Sequence, residues 1–212
     1  MNRDSELIED FGDEWQRYSY QDFDKLALEA NFKQYFDIFP WDQISEYSEG
    51  FDMGCGSGRW AQFVAPKVKH LNCIDPSHAI EVAKQNLVAN GNVSFYRETT
   101  EECSLEPKSQ DFGYCLGVLH HIPDTESALS DCAKLLKPGA PLLLYVYYNF
   151  EQRPPWFRAL WCLSDAVRRL ICRLPPYIKK IVCELIALLI YWPLSRLALL
   201  AAKLFDNSNM PL

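Results

Sequence analysis

Through its middle the chain alternates short apolar runs with stretches of helical periodicity. Phe51–Met53, His70–Asp75, Val93–Tyr96, Asp111–His121 and Pro141–Tyr148 read as five buried strands, the fourth running on to Pro123-Asp124. Between them, residues 58–66, Ser77–Asn90 and Glu126–Leu136 place apolar side chains on one helical face. Asn90-Gly91 and Lys137-Pro138-Gly139 are stop signals for the second and third of these helices. Strands and helices in this rhythm predict an α/β fold with a doubly wound, mostly parallel sheet. Right-handed crossovers then bring the strand C-termini to one edge, where ligands bind.

The flanks follow other patterns. Residues 1–13 are polar and expected to fray. From Trp15 to Phe39 aromatic and apolar residues recur near helical spacing, predicting one or two helices ending near Pro40. Such a stripe most simply fills a core; the alternative is a lid with Trp15 or Tyr18 facing an acceptor. Beyond Tyr148 helices are expected over Trp156–Leu174, from Tyr177 toward Trp192, and over Leu194–Phe205, with Pro193 breaking or kinking the second. The organisation is thus a helical cap (1–50), a ligand-binding core (51–150) and an amphipathic helical extension (151–212). The charge-free run in that extension, 185–195, is shorter than the roughly 20 residues that span a bilayer. A pocket-wall, lid or membrane-surface helix is therefore expected there, not a span.

Charge sharpens the picture. The 212 residues carry a formal −7, which disfavours nucleic acid as a partner. Residues 1–50 balance at −9, 51–150 at −3 and 151–212 at +5, so the apolar extension is also basic. Peripheral membrane contact through 176–205 is one consequence. The eight cysteines form no C-x-x-C pair and no Cys/His group at zinc spacing, so no metal site is expected. They read as reduced thiols of a cytoplasmic protein, membrane-associated where the extension makes contact.

The chemistry centres on Asp52-Met53-Gly54-Cys55-Gly56-Ser57-Gly58-Arg59. The third glycine falls one position early for a G-x-G-x-x-G dinucleotide fingerprint, and no Gly-Lys-Ser/Thr closes a phosphate loop. A glycine turn from strand to helix also aims free N–H groups at a ligand. Asp75, at the tip of the second strand, is placed to accept from a ribose diol, or to cap the turn before Pro76 and Ser77.

D-x-G-x-G-x-G, together with Asp111-Phe-Gly-Tyr-Cys-Leu-Gly-Val-Leu-His-His-Ile-Pro-Asp and Leu135-Leu-Lys-Pro-Gly, resembles the class I S-adenosylmethionine (SAM)-dependent methyltransferases of the small-molecule, Rossmann-like type. The resemblance implies that Asp52, Gly54, Cys55, Gly56, Ser57 and Gly58 hold the methionine end of SAM. It places Asp75 and Pro76 at the ribose and Leu116, Gly117 and Val118 beside the sulfonium. The family's usual acid after the third strand is replaced by Thr99-Thr100, which leaves the adenine to that segment. His121, and less directly His120, border the acceptor pocket as general-base candidates. On a strand only one of the pair would face the pocket. The expected activity is methyl transfer to a small-molecule or lipid-like acceptor. The alternatives are a non-catalytic SAM-binding scaffold and, less compatible with the glycine spacing, a nicotinamide dehydrogenase. The family closes its sheet with two further strands that 151–212 does not provide, so the chain looks C-terminally short. An unclosed edge favours a homodimer or a partner chain.

Overall fold

The computed structural model describes residues 4–17, 24–147, 150 and 153–205. The chain divides into two compact units, Met1–Tyr148 and Asn149–Leu212.

In the first unit five strands form one sheet: β1 (Glu49–Met53), β2 (His70–Ile74), β3 (Val93–Tyr96), β4 (Phe112–Leu116) and β5 (Leu142–Tyr145). Their order is β3-β2-β1-β4-β5, every pair parallel. Successive residues point to opposite faces, and both faces are apolar. Phe51, Met53, Ile74 and Cys115 enter one core, which α5 (Thr125–Leu135) closes with Ala128, Cys132 and Leu135. Leu71, Cys73, Phe112 and Tyr114 enter the other. That second core is covered by α2 (Lys25–Tyr35), α3 (Ala61–Val64) and α4 (Ala79–Asn86), through side chains such as Phe32, Val64 and Ile80. The doubly wound parallel sheet is as expected. The direction of winding reverses between β1 and β4, which opens a crevice at their C-terminal ends.

Local expectations differ in four places. Residues 4–13 are not frayed: α1 (Ser5–Arg17) starts at Asp4, whose carboxylate accepts from the Leu7 amide at 3.2 Å. The helix placed over 58–66 shrinks to α3 and a 3₁₀ turn, Ala65–Lys67. Gly58 sits at φ +78°, outside helical space, and Pro66 removes a donor. The fourth strand stops at Leu116 instead of running to Pro123-Asp124, because Gly117 turns the chain at φ +80° into a 3₁₀ turn, Leu119–His121. The fifth ends at Tyr145, short of Tyr148. Within the aromatic stripe Phe32, Phe36 and Phe39 are core residues, while Trp15 is not among them. Tyr18 lies outside the described residues.

The second unit holds α6 (Pro155–Cys172), α7 (Pro176–Ile186) and α8 (Trp192–Phe205), and no strand among its described residues. Pro193 does not break the helix. The turn before it, Ala187–Tyr191, is wound as π-helix, and this widening accommodates the proline ring and its missing bond to the Leu189 carbonyl.

Candidate active site

At the crevice the glycine turn is tied down from both sides. Ile74 O accepts from the amides of Gly54 (2.7 Å) and Cys55 (3.1 Å), and Cys55 O accepts from Gly58 N (2.9 Å). Asp75 Oδ2 accepts from Gly56 N at 2.9 Å. The expected free amides at these positions are therefore engaged inside the protein. What the glycines contribute is room. Gly54 sits at φ +75°, and a Cβ there would lie 2.4 Å from Val118 Cγ2, so it lets the loops after β1 and β4 touch. A Cβ on Gly56 would lie 3.2 Å from the Trp15 indole, which covers this part of the loop. Gly58 faces Leu87, below the crevice.

Asp75 has a double duty. Its Oδ1 accepts from the Ser77 amide (2.9 Å) and hydroxyl (2.6 Å), an Asx turn into α4. With three internal donors on four lone-pair directions, little acceptor capacity is left for a ribose. Thr99 Oγ1 is likewise used locally, donating to Glu102 Oε2 at 3.0 Å and accepting from Glu102 N at 3.2 Å.

A cavity of about 160 Å³ opens above this framework. Of the residues singled out from sequence, Gly54, Asp75, Pro76, Thr99, Thr100, Leu116, Gly117, Val118 and His121 line it. Asp52, Cys55, Gly56, Ser57, Gly58 and His120 do not. Its roof was foreseen only in part: Trp15, offered as a lid residue, lines it, but so do Leu7, Ile8 and Phe11 of α1, which face it at helical spacing and were not expected there. Their i, i+1, i+4, i+8 pattern is visible in the sequence, but six acidic residues between Asp4 and Glu14 masked it. The lining carries three carboxylates, Asp4, Asp75 and Glu98, and no lysine or arginine among the described residues.

Below the cavity Asp52 is 2% exposed, and its Oδ2 has no hydrogen-bond partner. Burial drives its pKa up to about 8, tempered by the neighbouring Tyr114 hydroxyl, which itself lacks a partner in good hydrogen-bond geometry. Cys55 is also buried, which raises its thiol pKa well above the ordinary range; it is no nucleophile.

The histidines sit on the 3₁₀ turn, not on a strand, so strand alternation does not separate them. Their rings touch at 4.1 Å, tilted by 49°, yet only His121 reaches the cavity, edge-on to Phe11 at 4.9 Å. His120 packs on Tyr147 at 4.1 Å, with neither ring nitrogen hydrogen-bonded or open to solvent. Burial lowers the pKa of both, helped for His120 by its neighbour, so both are neutral at pH 7.

A parallel sheet with a glycine turn and a crevice at its reversal point is the class of α/β domain that binds ligands at its strand ends. Its particular kind follows from comparison. A family profile described as "Methyltransferase domain" matches residues 51–144. "Ubiquinone biosynthesis O-methyltransferase" of Saccharophagus degradans is 33% identical over 135 residues, 57% of this chain and 57% of the relative. The protein of the same name from Marinobacter nauticus is 36% identical over 127 residues, 54% and 53%. The chain thus spans about half the length of the curated relatives it matches. Two solved structures share the fold. One is a Methanococcus maripaludis protein described as an S-adenosyl-L-methionine-dependent methyltransferase (18% identity, TM-score 0.50, 68% of this chain and 74% of that one). The other is Haemonchus contortus phosphoethanolamine N-methyltransferase 1, in complex with phosphoethanolamine and S-adenosylhomocysteine (19%, TM-score 0.50, 64% and 31%). Residues 51–144 are thus similar to a methyltransferase domain, and the sheet that holds them has the Rossmann-like fold of these solved methyltransferase structures.

The cavity fits SAM as its cofactor. Its described lining offers carboxylates and no cation, which suits a ligand carrying a sulfonium and an ammonium and opposes a dinucleotide's pyrophosphate.

Proposed function

We propose that the protein transfers a methyl group from SAM to a hydroxyl of a small-molecule or lipid-like acceptor in the cytoplasm, with its second unit in contact with a membrane. One observation carries the reading: an acidic cavity, with no cation in its described lining, set on glycine turns at the β1/β4 crevice of a methyltransferase-like domain. The name these relatives share, an O-methyltransferase, supports oxygen as the atom methylated.

When bound, SAM supplies a methyl already activated on a sulfonium, so the protein's work is to bind, orient and exclude water. Asp75, with Pro76, borders the ribose through its one remaining lone-pair direction. Thr99 and Thr100 border the adenine through buried backbone. Leu116, Gly117 and Val118 flank the reacting sulfur. Asp52, Cys55, Ser57 and Gly58 support from below, and Gly56 joins them only when Trp15 yields. Neutral His121 accepts the proton of an acceptor hydroxyl at a ring nitrogen, while His120 fixes the ring against which it packs. The apolar roof of Leu7, Ile8 and Phe11 gives an apolar acceptor its surface. The outer edge of β5 has no strand partner among the described residues, and a second copy pairing there makes a homodimer.

The test is calorimetric titration of S-adenosylhomocysteine into the wild type and Asp75→Ala, followed by radiolabelled methyl transfer to a panel of hydroxylated acceptors. Wild-type binding that the variant weakens is the expected result. No heat from a cooperatively melting wild type overturns the reading. Binding without turnover across the panel favours the second reading, a non-catalytic SAM-binding scaffold, for which the unpaired β5 edge speaks.

A further inference from the structure

The second unit carries a surface that methyl transfer does not use. Among the described residues one helix, Tyr177–Ala201, is long and apolar enough to cross a membrane. Its 25 residues, at about 1.5 Å each, reach roughly 37 Å, against about 30 Å of hydrocarbon in a bilayer. A helix inside a soluble core passes the same test by being buried, but none of this one is. Leu188, Leu189 and Ile190 are 60%, 67% and 51% exposed, and with Leu185, Tyr191 and Trp192 they leave no polar face. The π-turn at Ala187–Tyr191 keeps the helix continuous through Pro193, which the sequence alone did not suggest.

The flanking charges say what covers it. Residues 153–183 hold seven basic side chains and one acid, Asp165, which Arg168 and Arg169 share at 2.7 Å. On the far side stand Arg196 and Lys203. Basic residues collect on the cytoplasmic side of membrane helices. Four charges fall within Tyr177–Ala201: Lys179 and Lys180 in its first turn at the basic end, and Glu184 and Arg196, each six residues from Ile190. Glu184 is paired with Lys180 at 3.8 Å, one turn nearer the basic end. Arg196 has a long stem that reaches toward the opposite headgroups.

We propose that Tyr177–Ala201 crosses a lipid bilayer as an integral anchor, with the basic, amphipathic α6 lying on anionic headgroups at the cytoplasmic side. This goes beyond peripheral contact and does not depend on the methyltransferase reading. A bilayer satisfies an all-round apolar helix that water and a one-sided protein partner do not.

The experiment is fractionation of cells making the full chain, with membranes washed first in high salt and then in alkaline carbonate. The protein is expected to stay in the pellet through both washes. The double variant Leu188→Arg/Ile190→Arg is expected to move to the soluble fraction while retaining the S-adenosylhomocysteine response of the wild type. In reconstituted vesicles, binding should be stronger to phosphatidylglycerol mixtures than to phosphatidylcholine alone. Release by carbonate overturns the span and leaves peripheral contact; release by salt leaves only electrostatic adhesion. A soluble dimer found without membranes assigns the apolar helix to a second copy. Cleavage of the methyltransferase unit by protease outside intact spheroplasts overturns the orientation. Should the double variant fail to melt cooperatively, extraction of the wild type decides alone.

Discussion

Replacing Asp52 with asparagine should stabilise the protein, and increasingly so as pH rises. Asp52, one residue before the end of β1, is almost wholly buried with Oδ2 lacking a partner, and its pKa stands at about 8 against 3.8 when unconstrained. Below the lower value both folded and unfolded chains carry the proton, and the carboxyl imposes no penalty. Between the two values the unfolded chain ionises while the folded one keeps its proton, so stability falls as pH rises; above about 8 the loss is complete. At pH 7 the gap is about 3 pH units, which at about 1.4 kcal/mol per unit gives a penalty on the order of 4 kcal/mol. Asparagine keeps the shape and cannot ionise, so Asp52→Asn removes the pH-dependent part. For a chain of this size that corresponds to roughly 10 °C in melting temperature at pH 7, shrinking toward zero near pH 4. The assay is thermal unfolding of both proteins from pH 4 to 9, read as the difference between them, which cancels every other titrating group. A difference that is flat with pH, or that favours the wild type at pH 8, refutes the assignment of a buried, neutral Asp52.

Three further outcomes are expected. Gly54→Ala places a methyl 2.4 Å from Val118 at φ +75° and should lower stability by about 2–4 kcal/mol in chemical denaturation, with weaker S-adenosylhomocysteine binding. Because the Trp15 indole covers Gly56, tryptophan emission should change when S-adenosylhomocysteine is added, and Trp15→Phe should remove most of that change; an unaltered signal means α1 does not respond to the ligand. His121→Gln should reduce kcat by about a hundredfold with KM little changed. In the wild type the rate should fall with acid, at a pH below the ordinary imidazole range, as the imidazole, its pKa lowered by burial, takes up a proton. A pH profile shared by both proteins removes His121 from proton transfer.

The sheet was legible because its strands are apolar on both faces: Phe51 and Met53 fill one core while Leu71 and Cys73 fill the other, and such runs stand out between helical segments. Two kinds of feature escaped. The first is a helix whose period is hidden by charge. Along α1 the acids Glu9, Asp10 and Asp13 are exposed, and Leu7, Ile8, Phe11 and Trp15 carry the stripe. The second is a turn inside an apolar run. Period-2 alternation reads straight through Gly117, and only its positive φ reveals that His120 and His121 lie on a 3₁₀ turn. The site divides along the same line. Asp75, Thr99 and the Leu116–Val118 segment are strand ends, which topology delivers to one rim, and they line the cavity. Gly56 and Gly58 depend on what packs over the loop, Trp15 and Leu87, and no local pattern encodes that.

The ligand class follows from charge more than from glycine spacing. A glycine turn at a β1/β4 crevice accepts a dinucleotide as readily as a nucleoside sulfonium, since both need close backbone approach. Here the amides of Gly54, Cys55 and Gly58, which could have held a phosphate, are spent on Ile74 O and Cys55 O, and that of Gly56 is spent on Asp75. The cavity then presents Asp4, Asp75 and Glu98 with no cation among its described lining. A pyrophosphate entering there would meet carboxylates and no positive charge in the described lining, whereas the cationic sulfonium and α-ammonium of SAM match its sign. Asp52 extends the same logic beneath the floor. Held neutral by burial, it adds no further negative charge to repel its neighbours in the empty site, and a cation placed above it would draw its pKa back down.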